Sequence, residues 1–345
     1  MKHFVKPTLF GLTFGFFILI LYTKHDTIYY KKLLRKCHLD SPKDHHNVTF
    51  PKNIKWKNVQ KDNENVKLGG IWEPDECIPD QRMAIIIPYR DRSTHLMYFL
   101  DYMHPFLQRQ KLSYRIFVIE QKRPFLFNKA SLMNIGFKIA SELDEQLECF
   151  IFHDVDIFPE NDQILYKCSK DDQEVMHFSD FVDKYNYTTV FILNGGALAV
   201  TKELFKKVNG YSNLYWGWGG EDNNLVQRFK DNNITIHRCK NSTNCKYTMI
   251  KHVRDAGNPT NHNQNKIIKV LEKEDPVYFK HDGLTTLNFT LHKIKEFPLF
   301  TWVYVSLDAS TYNRSLVDIR QDGKHIAKDQ VYEKIPQIFH FKVKT

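Results

Sequence analysis

Residues 215–222 read Tyr-Trp-Gly-Trp-Gly-Gly-Glu-Asp. Two tryptophans and three glycines put large flat rings on a backbone too permissive for a helix interior, and the acidic pair Glu221-Asp222 follows at once. Aromatic rings stack on sugar faces, and a carboxylate beside them can take the proton of a sugar hydroxyl. The competing structural reading is a glycine-rich turn with packed tryptophans. A second acidic pair, Asp154 and Asp156, follows an apolar run from Cys149 to His153. In an extended strand, positions i and i+2 share a face, so both carboxylates are expected to point the same way. At a strand end they would form a divalent-cation site of the kind that holds a nucleotide-sugar diphosphate, although an isolated Asp-x-Asp fits a solvated strand terminus equally well. A third candidate is Met249-Ile250-Lys251-His252. Imidazole is a common metal ligand and a thioether a soft, unusual one, but a lone histidine is usually not a ligand.

These residues need elements to position them. Met83–Pro88 and Tyr114–Glu120 are short apolar runs that suit buried strands, as does Cys149–His153. Apolar residues at 132, 133, 135, 136, 139 and 140 recur at helical spacing within Asn128–Ala140. An apolar stretch from Val190 to Val200 surrounds Asn194-Gly195-Gly196, Thr201 is placed to cap a helix running to about Val208, and Gly210 to stop it. Asp222–Lys230 reads as a helix and Ile234–His237 as a further, buried strand. Alternating strand and helix predict an α/β domain with a mostly parallel sheet. Ligands in such sheets bind at the carboxyl ends of strands, where Asp154 and Asp156 fall.

The chain has 345 residues, with 42% hydrophobic and 14% aromatic content, as expected for a globular core. Its net charge of +9 is scattered, with one tight basic cluster at 31–36 and no nucleic-acid motif, so a nucleic-acid partner is not expected. An uncharged run from Pro7 to Thr23 follows a short tail, and no small-residue cleavage pattern comes after it. This predicts an uncleaved signal anchor at 7–23, a cytoplasmic tail at 1–6, a polar lumenal stem at 24–68 and a catalytic domain at 69–345. The cysteines at 37, 77, 149, 168, 239 and 245 contain no Cys-x-x-Cys pair. In an oxidising lumen they are expected to form disulfides rather than a zinc site, and Cys239 and Cys245 are close enough for a local loop. Sequons at Asn47, Asn186, Asn241, Asn288 and Asn313 are candidate glycosylation sites. Asn233 also heads a sequon but opens the strand read as buried.

Taken together, these segments resemble the β-1,4-galactosyltransferase family. The resemblance is carried by Ala84-Ile-Ile-Ile-Pro-Tyr-Arg-Asp-Arg92, Phe127-Asn-Lys-Ala-Ser-Leu-Met-Asn-Ile-Gly-Phe137, Phe152-His-Asp-Val-Asp156, Asn194-Gly-Gly196, Asn209-Gly-Tyr211, the tryptophan–glycine–acid run, and Met249-Ile-Lys-His252 with Arg254-Asp255. It covers about residues 69 to 305, in the family's order. It implies a GT-A fold with a Rossmann-like nucleotide-binding half, a UDP-sugar donor, a GlcNAc-terminated acceptor and a Golgi membrane location. It also implies Mn²⁺ held by Asp156, Met249 and His252, and donor contacts from Pro88, Tyr89, Arg90, Arg92, Phe127, Lys129, Asp154, Val155, Gly196 and Trp218. Asp222 is the implied general base, with Glu221 beside it. Lys251 to about Lys266 is the implied lid over bound donor. The family's disulfides map onto Cys37–Cys77 and Cys149–Cys168; Cys239 and Cys245 have no counterpart.

The chain departs from the family pattern at several points. Lys129 replaces the usual arginine, and Asn223-Asn224 replaces two acidic residues. Gln264, Asn265 and Ile268 stand where the acceptor pocket has an Arg-Phe pair and an isoleucine. Leu193-Asn194 replaces the Tyr-Phe of galactose-transferring members. Leucine opens space near the donor sugar's C2, which favours GalNAc and makes Leu193 a donor-binding candidate. Transfer of galactose, and a sugar-binding protein without catalysis, are the alternative readings.

Overall fold

The computed structural model describes residues 34–38, 47–188, 194–239, 244–252, 255–274 and 278–311. The strands in chain order are β1 (Ile71–Trp72), β2 (Arg82–Tyr89), β3 (Ser113–Gln121), β4 (Cys149–His153), β5 (Ile157–Pro159), β6 (Glu174–His177), β7 (Phe181–Val182), β8 (Ala197–Thr201), β9 (Thr235–Arg238), β10 (Lys246–Met249), β11 (Thr290–Phe297) and β12 (Phe300–Ser306). The helices are α1 (Trp56–Asp62), α2 (Ser93–Arg109), α3 (Lys129–Leu143), α4 (Lys202–Lys207), α5 (Glu221–Asp231) and α6 (Gln264–Glu274).

The main sheet runs β11-β12-β3-β2-β4-β8-β6-β9, with β1 on β3. Strands β12, β3, β2 and β4 are parallel, and so are β6 and β9. β8 is antiparallel to both its neighbours, and β11 is antiparallel to β12. The sheet is therefore mixed rather than mostly parallel. The β11–β12 hairpin pairs Phe297 with Phe300 across two residues, a connection that only an antiparallel pair permits. β2 shows why its residues form a central strand: Ile85 and Ile87 enter one core cluster and Ala84 and Ile86 the other. Alternate side chains fill opposite faces, so the run is apolar throughout. Helix α2 covers the first face, and α3, α4 and α5 the second. Asn128 caps α3 by accepting from Ser131 N, and Thr201 caps α4 by accepting from Leu204 N. α2 has apolar residues at helical spacing (Leu96, Phe99, Leu100, Met103) but carries Pro105 inside it, a residue that normally argues against a helix interior.

Two expectations change. The packed structure begins before Gly69: Trp56 and Val59 are buried, and the Phe50 ring lies 5.1 Å from that of Phe158. Residues 47–68 thus dock on the domain instead of forming a free stem. The strand at 235–238 is half exposed at the sheet's end, and Asn233 is exposed with φ of 56°. Its sequon is open to solvent. The run at 7–23 lies outside the described residues, as do Asn241, Asn313 and Leu193. Among the described residues no helix is long and apolar enough to cross a membrane.

All six cysteines are bonded, Cys37–Cys77, Cys149–Cys168 and Cys239–Cys245. Asn47, Asn186 and Asn288 are exposed.

Candidate active site

A cavity of about 660 Å³ opens at the carboxyl ends of β2 and β4. Its wall includes Lys129, Asp154, Asp156, Trp218, Glu221, Asp222, Met249 and His252. The volume lies in the range of small-ligand sites.

The two tryptophans of the 215–222 run part company. Trp216 is fully buried in the core, whereas Trp218 is 49% exposed and lines the cavity. Glycine makes this possible. Gly220 has φ of +100°, a conformation that L side chains rarely adopt, and a Cβ there would lie 2.5 Å from the Tyr215 ring. The chain then enters α5, so Glu221 and Asp222 occupy its first turn, where the helix dipole favours negative charge. Gly195 lets the opposite wall come close, since a Cβ on it would stand 2.2 Å from Asp222 Oδ2.

Lys129, first residue of α3, projects its ammonium among three carboxylates. Nζ lies 2.8 Å from Asp222 Oδ2, 3.2 Å from Asp154 Oδ1 and 3.4 Å from Glu221 Oε1. Burial alone would lower the Lys129 pKa, but the carboxylates raise it well above its ordinary value. Burial and the charge on Asp222 push Glu221 up to about 7, and among the described residues its Oε2 has no hydrogen-bond partner. Burial pushes Asp154 up to about 6 against the pull of Lys129.

Asp154 and Asp156 both line the cavity but do not act as one pair, because β4 ends at His153 and the chain turns. Asp154 faces Lys129. Asp156 Oδ2 instead lies 2.8 Å from His252 Nε2 and 3.2 Å from Arg92 Nη1. Burial raises the Asp156 pKa, but the His252 hydrogen bond and the Arg92 charge outweigh it and leave it below the ordinary value. Pairing of β10 with β5 sets Met249 opposite Ile157, next to Asp156, and Ile250 N donates to Asp156 O at 2.8 Å. One carboxylate oxygen and one imidazole nitrogen thus meet where a guanidinium now sits, with a thioether on the same wall. That donor set fits a Mn²⁺ ion, with the thioether as the weak member. Among the described residues no group of three or more His, Cys, Asp or Glu could hold a metal, so the fit depends on Met249 as third ligand. His95, which sequence spacing did not single out, puts its ring 5.4 Å from that of His252; burial and then Arg92 lower its pKa to about 4.

The other donor candidates divide. Pro88, Arg90, Arg92, Phe127, Val155 and Gly196 line the cavity. Tyr89 does not: its ring is buried in the core under α2. Arg90 stacks on Phe127 and donates to Gly257 O at 2.7 Å. Trp218 N donates to Pro259 O, and Phe127 N to Gly257 O. Gly257 and Pro259, within the segment read as a lid, are therefore docked on the cavity rim through their backbone carbonyls. Gln264 lines the cavity, whereas Asn265 and Ile268 do not. Of the two substituted amides, Asn223 lines the cavity and Asn224 is buried, accepting from Arg228 Nε at 2.9 Å.

Residues 37–169 match the model of the N-terminal region of glycosyl transferase group 7, and residues 174–253 that of the N-terminal domain of galactosyltransferase. The chain is 38% identical to β-1,4-galactosyltransferase 4 of Cricetulus griseus, over 81% of this chain and 80% of that one. It is 39% identical to the human protein of the same name, over 73% and 71%. The catalytic domain of Drosophila β1,4-galactosyltransferase 7, solved with xylobiose, superposes with a TM-score of 0.56 at 32% identity, over 66% of this chain and 94% of that one. A variant of that enzyme was solved with manganese, UDP-Gal and xylobiose, and aligns equally well. Matches of this extent, together with a GT-A type α/β fold, show that the chain belongs to the β-1,4-galactosyltransferase family.

Proposed function

We propose that this β-1,4-glycosyltransferase moves N-acetylgalactosamine from UDP-GalNAc to the 4-hydroxyl of a terminal GlcNAc, with inversion. The observation that carries the catalytic reading is that Asp222, Trp218 and the Asp156–His252 pair line one cavity. Trp218 offers an exposed ring for a sugar to stack on. Asp222 takes the acceptor hydroxyl's proton as its oxygen attacks the anomeric carbon of the donor sugar. The carbon–oxygen bond to UDP breaks from the opposite face, and UDP leaves with the electron pair. Asp156, Met249 and His252 would hold Mn²⁺, which when bound supplies positive charge to the departing diphosphate. Arg92, beside Asp156, is placed to turn its guanidinium to the same phosphates.

The GalNAc assignment rests on Leu193, a smaller side chain than the tyrosine of galactose-transferring members. A second reading, UDP-galactose as donor, is favoured by the names of the relatives. Exposed sequons and three disulfides support a secretory route, and with the apolar run at 7–23 a Golgi membrane protein of type II. Competing UDP-GalNAc and UDP-Gal at equal concentration, with Mn²⁺ and a GlcNAc acceptor, tests the donor. GalNAcβ1-4GlcNAc is the expected main product, and at least tenfold faster use of UDP-Gal would replace the assignment with galactose.

A further inference from the structure

Three features that set this chain apart in sequence meet at one corner of the cavity. Asn194 Nδ2 donates to Asn223 Oδ1 at 2.7 Å, although the two residues sit on opposite walls, before β8 and in the first turn of α5. Arg238 Nη2 donates to Asn194 Oδ1. Arg238 is the last residue of β9, immediately before the Cys239–Cys245 disulfide. Its other arm, Nη1, donates to Asp180 Oδ1 and lies 3.2 Å from His177 Nδ1. Asp180 is itself fixed: Cys239 N donates to its Oδ2 at 3.0 Å, and His177 Nδ1 lies 3.0 Å from Oδ1. His177 Nε2 in turn donates to Gly195 O at 3.1 Å.

The polarity of this chain of bonds has one solution. A guanidinium carries only donors, so Asn194 must turn its amide oxygen to Arg238 and its nitrogen outward. Asn223 then accepts with its oxygen, and what it offers the cavity is N–H. The corner adjoins the reacting centre, because Asn223 follows Asp222 and Gly195, next to Asn194, abuts the Asp222 carboxylate. A ligand there meets an N–H donor beside a carboxylate acceptor. That pair suits a sugar bearing a carbonyl oxygen close to a hydroxyl. We propose that Arg238, Asn194 and Asn223 form a specificity corner that recognises the acetamido carbonyl of a hexosamine bound at the transfer point. The proposal rests on Asp222 facing the reacting hydroxyl, and it holds for an acetamido group on the donor or on the acceptor.

Asn223→Asp keeps the side chain's size and deletes its N–H. Two ratios of kcat/KM are measured with Mn²⁺: UDP-GalNAc over UDP-Gal on GlcNAc, and GlcNAc over glucose as acceptor with one donor. A site built to hydrogen-bond a polar group discriminates strongly against the analogue that lacks it. One ratio is therefore expected to fall at least about tenfold in Asn223→Asp, the donor ratio if the donor carries the recognised group and the acceptor ratio if the acceptor does. Asn194→Asp, which has no N–H to give Asn223, is expected to lower the same ratio. Both ratios staying within about twofold of wild type in Asn223→Asp, whatever happens to absolute rates, overturns the proposal. Failure of the underlying catalytic reading shows separately, as an unmodified protein that transfers neither sugar to either acceptor.

Discussion

Lys129 Nζ lies 2.8 Å from Asp222 Oδ2, so the candidate base is held by a direct ion pair within the cavity wall. An ammonium has three N–H bonds, and three carboxylates surround this one. A planar guanidinium could not direct its donors from one point in the same way. Lys129 thus ties Asp154, Glu221 and Asp222 to one cation.

Lys129→Met should leave those carboxylates without their common cation. Removing one partner of a buried pair costs about 3–5 kcal/mol. Chemical denaturation should show a loss of that order at pH 7 and a smaller loss in Lys129→Arg. Equal stability of Lys129→Met and wild type would mean that the ion pairs contribute nothing net.

The metal site makes a separate prediction. His252→Ala should weaken Mn²⁺ binding, read by electron paramagnetic resonance of free Mn²⁺, by at least about tenfold. Met249→Leu, which keeps volume but removes sulfur, should have a smaller effect. Unchanged Mn²⁺ affinity in His252→Ala would separate His252 from the metal.

Stability should also carry a pH signature from outside the site. Glu120 is buried on β3, accepts from Trp302 Nε1 at 2.7 Å, and is pushed by burial from its ordinary 4.5 up to about 7. The folded state then holds a proton that the unfolded state releases, so this group's contribution to stability falls as pH rises from about 4.5 to about 7. At 1.36 kcal/mol per pH unit the fall is roughly 3 kcal/mol. Glu120→Gln still accepts from Trp302 and does not titrate. Its stability advantage over wild type should grow between pH 5 and pH 7.5, and a constant difference would contradict the assignment.

Secretory processing is testable on the expressed chain. Asn186 and Asn288 are exposed, and the protein from a eukaryotic secretory host should lose mass on N-glycosidase treatment. Peptide mapping without reduction should recover Cys37–Cys77, Cys149–Cys168 and Cys239–Cys245. A chain without glycan and with free thiols would place it outside that route.

The sequence made some of this legible and hid the rest for physical reasons. β2, β3 and β4 are buried on both faces and carry the apolar stretches Met83–Pro88, Ile116–Ile119 and Cys149–Phe152, and Thr201 and Asn128 mark helix starts by their caps. The division of the tryptophans was not legible, because Trp216 and Trp218 have the same type and only the glycine-permitted turn separates core from cavity. Asp154 and Asp156 look alike for the same reason, until the end of β4 turns one to Lys129 and the other to His252. The docking of residues 47–68 depends on a few apolar anchors, Phe50, Trp56 and Val59, in a polar stretch with weak periodicity. Tyr89 lies between Pro88 and Arg90, which line the cavity, but its position on the α2 side of β2 turns its ring into the core.

Asp222 is the residue on which the catalytic account stands or falls. UDP release should be followed with Mn²⁺, GlcNAc acceptor and each UDP-sugar in wild type and Asp222→Asn, alongside the affinity of each protein for UDP and Mn²⁺. A positioned base contributes about 10²–10⁴-fold. The variant should therefore lose at least about 100-fold in turnover while its UDP affinity stays within about threefold. Near wild-type turnover in Asp222→Asn would contradict the assignment of Asp222 as the base that starts the transfer.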